Sequence, residues 1–206
     1  MGHIGILGGT FNPPHMGHLI MAQEALDQLE LDRVDFMPVA VPPHKEADED
    51  PGAAARLELC RLAVAGDERL GVCTLEVDRG GASYTVDTLR ELHALEPEQE
   101  LTFIVGGDMA HSLPAWREPE AILSLARLAV AEREGVGRED IAARLEPLHG
   151  GDRVVFFDMP RIDISSSNVR RRVADGRPIR YLVPDAVAAA IAEHDLYRQA
   201  AGRPAA

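Results

Sequence analysis

The chain predicts an open, doubly wound α/β sheet with parallel strands. Short apolar strand-like runs alternate with amphipathic helical stretches from His3 to His194, and the first strand run opens directly into a glycine-bearing turn and a helix. With 206 residues and 46% hydrophobic content, the chain is long enough for one substantial core and too short for a second full-sized domain.

In order, His3 to Leu7 reads as a strand, Met16 to Leu29 as a helix, and Arg33 to Val39 as a strand carrying Val34, Phe36, Met37 and Val39. Val41-Pro42-Pro43-His44-Lys45 and the acidic residues from Glu46 to Asp50 read as an exposed loop, with Asp48-Glu49-Asp50 solvated. Ala53 to Ala65 returns to helix. Val72 to Val77 reads as a strand, Thr85 to Leu95 as a helix, Leu101 to Val105 as a strand, Ala121 to Leu125 as a short helix and Leu128 to Ala131 as a strand. Asp140 to Leu145 is helical, Val154 to Phe157 a strand, and Ser166 to Ala174 and Asp185 to His194 the closing helices. Such alternation calls for right-handed crossovers, because each helix carries the chain back over the sheet. Ligands of such sheets bind at the carboxyl ends of the strands, where the loops after Leu7, Val39, Val105 and Phe157 gather. Residues 1–199 are expected to form one domain, and the Ala/Gly/Pro-rich residues 200–206 a flexible tail.

A formal net charge of −13 opposes binding to nucleic acid or to an anionic membrane surface. A phosphate-binding protein of this composition must concentrate its positive charge, and Arg170-Arg171-Arg172 with Arg177 and Arg180 is the one such cluster. Cys60 and Cys73 lack the short spacing of a zinc or redox pair and are read as reduced packing residues. No segment has the pattern of a leader or the length of a membrane span, so the expected location is the cytoplasm.

The chemistry concentrates in Gly8-Gly9-Thr10-Phe11-Asn12-Pro13-Pro14-His15-Met16-Gly17-His18. Glycines permit close approach of backbone to an anion, and the helix that follows would direct N–H groups and its positive dipole end at that anion. His15 and His18, three positions apart, can face one ligand from the first helical turn, with Gly17 expected to keep the space between them open for phosphate. The spacing matches neither the Gly-x-Gly-x-x-Gly fingerprint nor a Walker A loop.

His15-Met16-Gly17-His18 resembles the (His/Thr)-x-Gly-His signature of the nucleotidyltransferase superfamily, and Ile164-Ser165-Ser166-Ser167-Asn168-Val169-Arg170 resembles its Ile-Ser-Ser-x-x-x-Arg segment. Ser165 or Ser166 can cap a helix there, while Arg170 adds a planar bidentate charge. Ser83-Tyr84-Thr85-x-Asp87-Thr88-Leu89, and Gly107-Asp108 followed by Pro114-Ala115-Trp116, are similar to the nicotinate-nucleotide adenylyltransferases. That resemblance runs from about Gly5 to Tyr197.

The resemblance implies a Rossmann-like fold and an enzyme that joins nicotinate mononucleotide to the AMP part of ATP, releasing pyrophosphate. It implies catalytic roles for His15, His18, Lys45 and Arg170, and ATP contacts at Gly8, Gly9, Thr10, Phe11, His15, His18, Gly106, Asp108, Ser165, Ser166 and Arg170. The mononucleotide would meet Lys45, Thr85, Trp116 and Arg117, its ring stacked on Trp116 and its carboxylate on backbone N–H groups at Thr85 and Arg117. Mg²⁺ would arrive on ATP, since no carboxylate cage for a resident metal is evident. Asn12 stands where relatives also carry aspartate, so no charge is required at that position. ATP and nicotinate mononucleotide are the expected partners, with no nucleic acid or membrane, and a homo-oligomer is left open. Competing readings are a sister enzyme acting on nicotinamide mononucleotide, pantetheine phosphate or a cytidylyl acceptor, and a non-catalytic nucleotide sensor. Ser83-Tyr84-Thr85 and Trp116 favour the nicotinate acceptor, and the presence of both histidines favours catalysis.

Overall fold

In the computed structural model the described residues are 2–41, 49–132 and 137–198. Six parallel strands form one sheet in the order β3-β2-β1-β4-β5-β6. Strand β1 (His3–Gly9) leads through α1 (Met16–Gln28) to β2 (Arg33–Pro38), and α2 (Ala53–Val64) leads to the edge strand β3 (Leu70–Val72). The chain then returns through α3 (Leu75–Arg79) and α4 (Thr85–Leu95) to β4 (Glu100–Gly106), on the other side of β1. From there it grows outward through α5 (Gly107–Ser112), a 3₁₀ turn (Leu113–Ala115), α6 (Pro119–Leu125), β5 (Arg127–Glu132), α7 (Arg138–Leu145) and β6 (Val154–Asp158). Helices α8 (Ser166–Ala174) and α9 (Asp185–Glu193) close the described chain.

Side chains along a strand alternate between faces, and the core divides accordingly. Ile6, Phe103, Val105, Leu128 and Val130 pack in a cluster with Leu89, Leu113 and Ile122 on one face. Leu7, Ile104, Ala129 and Ala131 pack on the other with Met21, Ala22, Ala25 and Leu26 of α1. A third cluster, built on Leu59, Val169, Val187 and Ile191, holds α8 and α9 against α2. The strand order reverses direction between β1 and β4, so the topological switch point lies between the carboxyl ends of these two strands.

Two expectations about elements change. Gly8 and Gly9 are the last residues of β1, in register with Met37 and Pro38, so the turn begins at Thr10. The predicted strand from Val72 to Val77 ends at Val72, and Leu75–Arg79 is helical instead. Apolar residues at 72, 73, 75 and 77 imitate a period of two, yet the Asp78 amide donates to the Thr74 carbonyl at 2.9 Å and it is Glu76 that turns inward. Helix α5 and the 3₁₀ turn after it lack a long apolar period and were not predicted. The two cysteines are free thiols, as expected; burial raises the pKa of Cys60 far above its ordinary value and also raises that of Cys73.

Candidate active site

The loop after β1 brings the two histidines into one stack. Phe11 adopts a positive φ of 49°, an uncommon conformation for a non-glycine residue, of the kind that clusters at functional sites. Its ring is buried, edge-on to His18 at 4.9 Å and tilted on Phe36 at 5.2 Å. His15 occupies the N-cap of α1 in extended conformation, and its ring stacks on that of His18 with centroids 3.7 Å apart. The His15 amide donates to Nδ1 of His18 at 3.1 Å, which makes Nδ1 an acceptor and places the proton of the neutral ring on Nε2.

The glycines of this motif make room for rings. A Cβ on Gly17 would come within 3.1 Å of the His15 ring, so the space beside Gly17 holds that imidazole and is not a gap kept open for phosphate. A Cβ on Gly9 would press on the Phe11 ring at 3.1 to 3.3 Å. The helix N-terminus also differs from expectation: the Met16 amide donates to the Leu182 carbonyl at 2.9 Å, and the His18 amide to the His15 carbonyl at 2.9 Å. Two of the first N–H groups are therefore engaged within the protein, and the imidazoles are the polar groups this turn brings together.

Helix α8 docks directly onto this loop. Ser165 is its N-cap, accepting from the Asn168 amide at 3.2 Å, while the Ser166 hydroxyl donates to the Pro13 carbonyl at 2.8 Å. Arg170 donates from Nη1 to the Asn12 carbonyl at 2.8 Å and pairs through Nε with Glu49 at 3.2 Å. The guanidinium of the second signature thus sits against the loop of the first. Two other members of the arginine cluster are engaged elsewhere: Arg172 donates to the Pro178 carbonyl and Arg180 lies over the Tyr181 ring. Glu49 and Asp50, expected to be solvated, are each paired with an arginine, Glu49 with Arg170 and Asp50 with Arg56.

Asn12 is buried and donates from Nδ2 to the Glu49 carbonyl at 3.4 Å, while its Oδ1 has no hydrogen-bond partner among the described residues. At the end of β4, beside β1, a Cβ on Gly106 would meet nothing within 4 Å among the described residues, which leave open space at the switch point. Asp108, in the first turn of α5, is exposed at the same end of the sheet. Lys45 lies outside the described residues.

A second group gathers around the start of α4. Thr85 is the first residue of that helix, so its amide is among those an α-helix leaves without an internal partner. Arg117 donates to Asp87 at 3.1 Å and lies 4.9 Å from the Tyr84 ring centroid, which ties the turn after the 3₁₀ helix to the start of α4. Trp116 is half-buried, its indole N–H donates to the Ser112 hydroxyl at 3.0 Å, and its ring meets Phe103 edge-on at 6.2 Å. The indole is thus anchored by its N–H bond and by its contact with Phe103.

Sequence reasoning missed the acid beneath this group. Glu76 is buried, its Oε1 accepts from the Thr88 hydroxyl at 2.8 Å, and that same oxygen of Thr88 accepts from Arg79 at 2.8 Å. Nearby, the Ser83 hydroxyl accepts from the Ala40 amide at 3.0 Å. Burial raises the pKa of Glu76 against the opposing pull of the Thr88 and Ser83 hydroxyls and Arg79. A raised folded-state value means that Glu76 contributes stability below the ordinary glutamate pKa and loses it as pH rises through the raised one. The stability of Glu76→Gln relative to the parent is therefore expected to increase as pH rises from about 4 toward neutrality, read by denaturation midpoints across that range. A difference that does not move in favour of the variant contradicts the raised pKa.

Residues 6–172, which include the paired imidazoles and the arginine joined to their loop, match the family described as cytidylyltransferase-like. Curated relatives narrow this further. A probable nicotinate-nucleotide adenylyltransferase of Geobacillus thermodenitrificans is 43% identical over 197 residues, covering 96% of this chain and 87% of the relative. The protein of the same name from Thermomicrobium roseum is 44% identical over 200 residues, covering 96% and 92%. The chain belongs to the nicotinate-nucleotide adenylyltransferase family, within the cytidylyltransferase-like nucleotidyltransferases. The fold is also that of the Plasmodium falciparum nicotinic acid mononucleotide adenylyltransferase complexed with NaAD, with a TM-score of 0.79 at 17% identity over 96% of this chain and 98% of that one.

Proposed function

We propose that this chain transfers the AMP part of ATP to nicotinate mononucleotide, forming deamido-NAD and pyrophosphate. The observation that carries the reading is the bond from Arg170 Nη1 to the Asn12 carbonyl at 2.8 Å, which fastens the second signature to the loop that presents His15 and His18. Family membership supplies the acceptor.

In the proposed reaction a phosphate oxygen of the mononucleotide attacks the α-phosphorus of ATP in line. A new P–O bond forms as the bond to the β-phosphate bridging oxygen breaks, and pyrophosphate leaves with that electron pair. No protein nucleophile is required, so the chain's work is positioning and charge neutralisation. His18, with Nε2 protonated by virtue of the bond at Nδ1, donates to the phosphate oxygens on which charge grows, and His15 holds the ring beside it. Arg170, with Lys45, binds the outer phosphates; its guanidinium must exchange Glu49 for ATP. Gly8, Gly9, Thr10, Phe11, Gly106, Asp108, Ser165 and Ser166 complete the ATP site, Phe11 by backbone and by support of His18, because its ring is buried. Among the described residues no three His, Cys, Asp or Glu side chains are grouped to hold a metal ion, and magnesium is assigned to the ATP substrate.

Thr85, Trp116 and Arg117, with Lys45, form the proposed mononucleotide site. In this proposal the indole offers a face to the pyridine ring, and the start of α4 offers amide donors to the carboxylate. Trp116→Ala is expected to raise KM for the mononucleotide by about tenfold or more while moving that for ATP little, the size of a lost base-on-aromatic stack. Equal changes in both constants would remove Trp116 from the ring site. We assign residues 1–199 to one catalytic domain, supported by the single six-stranded sheet, and residues 200–206, outside the described residues, to a tail. Among the described residues no helix is long and apolar enough to cross a membrane, and cytoplasmic residence is part of this proposal.

The deciding experiment measures pyrophosphate release from Mg–ATP with either nicotinate or nicotinamide mononucleotide. Faster release with the acid supports the reading. Release favouring the amide, or none with either acceptor, overturns it.

A further inference from the structure

Helix α2 carries an arginine on its apolar face. Arg56 shares the i, i+3, i+4, i+7 spacing with Leu59, Cys60 and Ala63, and like Cys60 it is 0% exposed. A buried guanidinium is tolerated only when its donors are matched, and here four of its five N–H groups are engaged. Nε donates to Asp50 Oδ1 at 2.9 Å, Nη1 to the carbonyls of Thr10 at 3.0 Å and Val39 at 2.7 Å, and Nη2 to the carbonyl of Ala40 at 2.9 Å.

The position of those carbonyls matters. The ladder between β1 and β2 reaches Gly9 and Pro38, and one further bond joins the Val39 amide to the Gly9 carbonyl at 3.0 Å. Beyond it the strands part. Thr10 opens the loop that presents His15 and His18, whereas Val39 and Ala40 lead to Val41, which bridges Ala82 just before α4. Arg56 takes over where the ladder stops and joins the two diverging loops. Asp50 holds its Nε, and the adjacent Glu49 holds Arg170, so the same short acidic pair connects Arg56 to the second signature.

We infer that Arg56 is a positioning residue, one that sets the spacing between the histidine loop and the loop after β2 through their carbonyls and touches neither substrate. This rests on the function proposed above. The planar fork is essential to the role, because donors in fixed directions reach three carbonyls and a carboxylate at once, whereas lysine offers a single point charge. A shift of even about 1 Å between reacting groups can cost roughly 10²-fold in rate without abolishing binding.

The test uses the full chain with Arg56→Lys and Asp50→Asn, comparing calorimetric ATP binding, thermal melting, and pyrophosphate release at saturating substrates. For Arg56→Lys the expectation is near-parental ATP stoichiometry and affinity with kcat, counted per ATP-binding site, lowered about 10²-fold. Asp50→Asn, which keeps the fork and weakens its anchor, is expected to lose less but measurably. A purely structural role lowers the melting temperature and the number of binding sites while leaving turnover per site unchanged, and that result overturns the inference. Should Arg56→Lys fail to fold, Asp50→Asn decides by the same criterion. An inactive parent chain overturns the functional reading and this inference with it; an active parent beside an unaffected Arg56→Lys overturns this inference alone.

Discussion

His18→Ala is expected to lower kcat by about 10²- to 10³-fold while the chain still folds, the range seen when one preorganised donor to a developing negative charge is removed. The geometry supports so large an effect. The His15 amide holds Nδ1, the His15 ring covers one side of the imidazole, and the Phe11 edge fixes another, so Nε2–H is oriented before substrate arrives. Folding should survive, because His18 is only partly buried and the core beneath it rests on Phe11 and Phe36. Turnover of the purified variant, with circular dichroism to establish its fold, checks the expectation. An unchanged turnover number would deny His18 its role.

Arg170→Ala should reduce kcat/KM for ATP by at least about 30-fold, since loss of one partner of a close charge pair costs roughly 2–5 kcal/mol and each 1.4 kcal/mol is a factor of ten. Two consequences of the structure add to the loss. The Asn12 carbonyl loses its donor, loosening the histidine loop, and Glu49 is left as an unneutralised negative charge beside the phosphate site. Arg170→Lys should recover only part of the activity, because a point charge cannot serve the Asn12 carbonyl and a phosphate in the same geometry. Varying ATP and mononucleotide separately provides the check. Equal effects on the two substrates, or none, contradict the assignment of Arg170 to ATP.

The alternation of apolar strands and amphipathic helices made the fold legible, and α4 and α8 begin and end at the predicted residues, Thr85 to Leu95 and Ser166 to Ala174. Where a segment was misread, local periodicity was an ambiguous signal. Leu75 and Val77 alternate as in a strand, but Glu76 between them is the buried residue, and a carboxyl pointing inward inverts the usual pattern. The histidine and serine–arginine motifs were legible as chemistry because their residue types are unusual in combination. The tertiary meaning of Gly17 was not, because the ring it accommodates belongs to His15, two positions away, and its placement depends on the backbone of the whole turn.

The supporting residues were hidden for a different reason. Glu49 and Asp50 sit in an acidic stretch that composition assigns to solvent, and only the fold reveals that Glu49 faces Arg170, distant in sequence, and that Asp50 faces the buried Arg56 of the next helix. Arg56 left one trace, a charge in register with Leu59, Cys60 and Ala63 on the inward side of α2. Such a violation of the apolar pattern is the kind of signal that marks a site under functional constraint.

A crystal structure of the full chain with a non-hydrolysable ATP analogue bears most directly on whether the imidazoles and the guanidinium serve one nucleotide. The expected density places the triphosphate between His18 Nε2 and Arg170, with the Glu49 carboxylate withdrawn from the arginine. A nucleotide bound at any other end or face of the sheet, with Glu49 still on Arg170, would mean that the two signatures are joined for reasons other than catalysis.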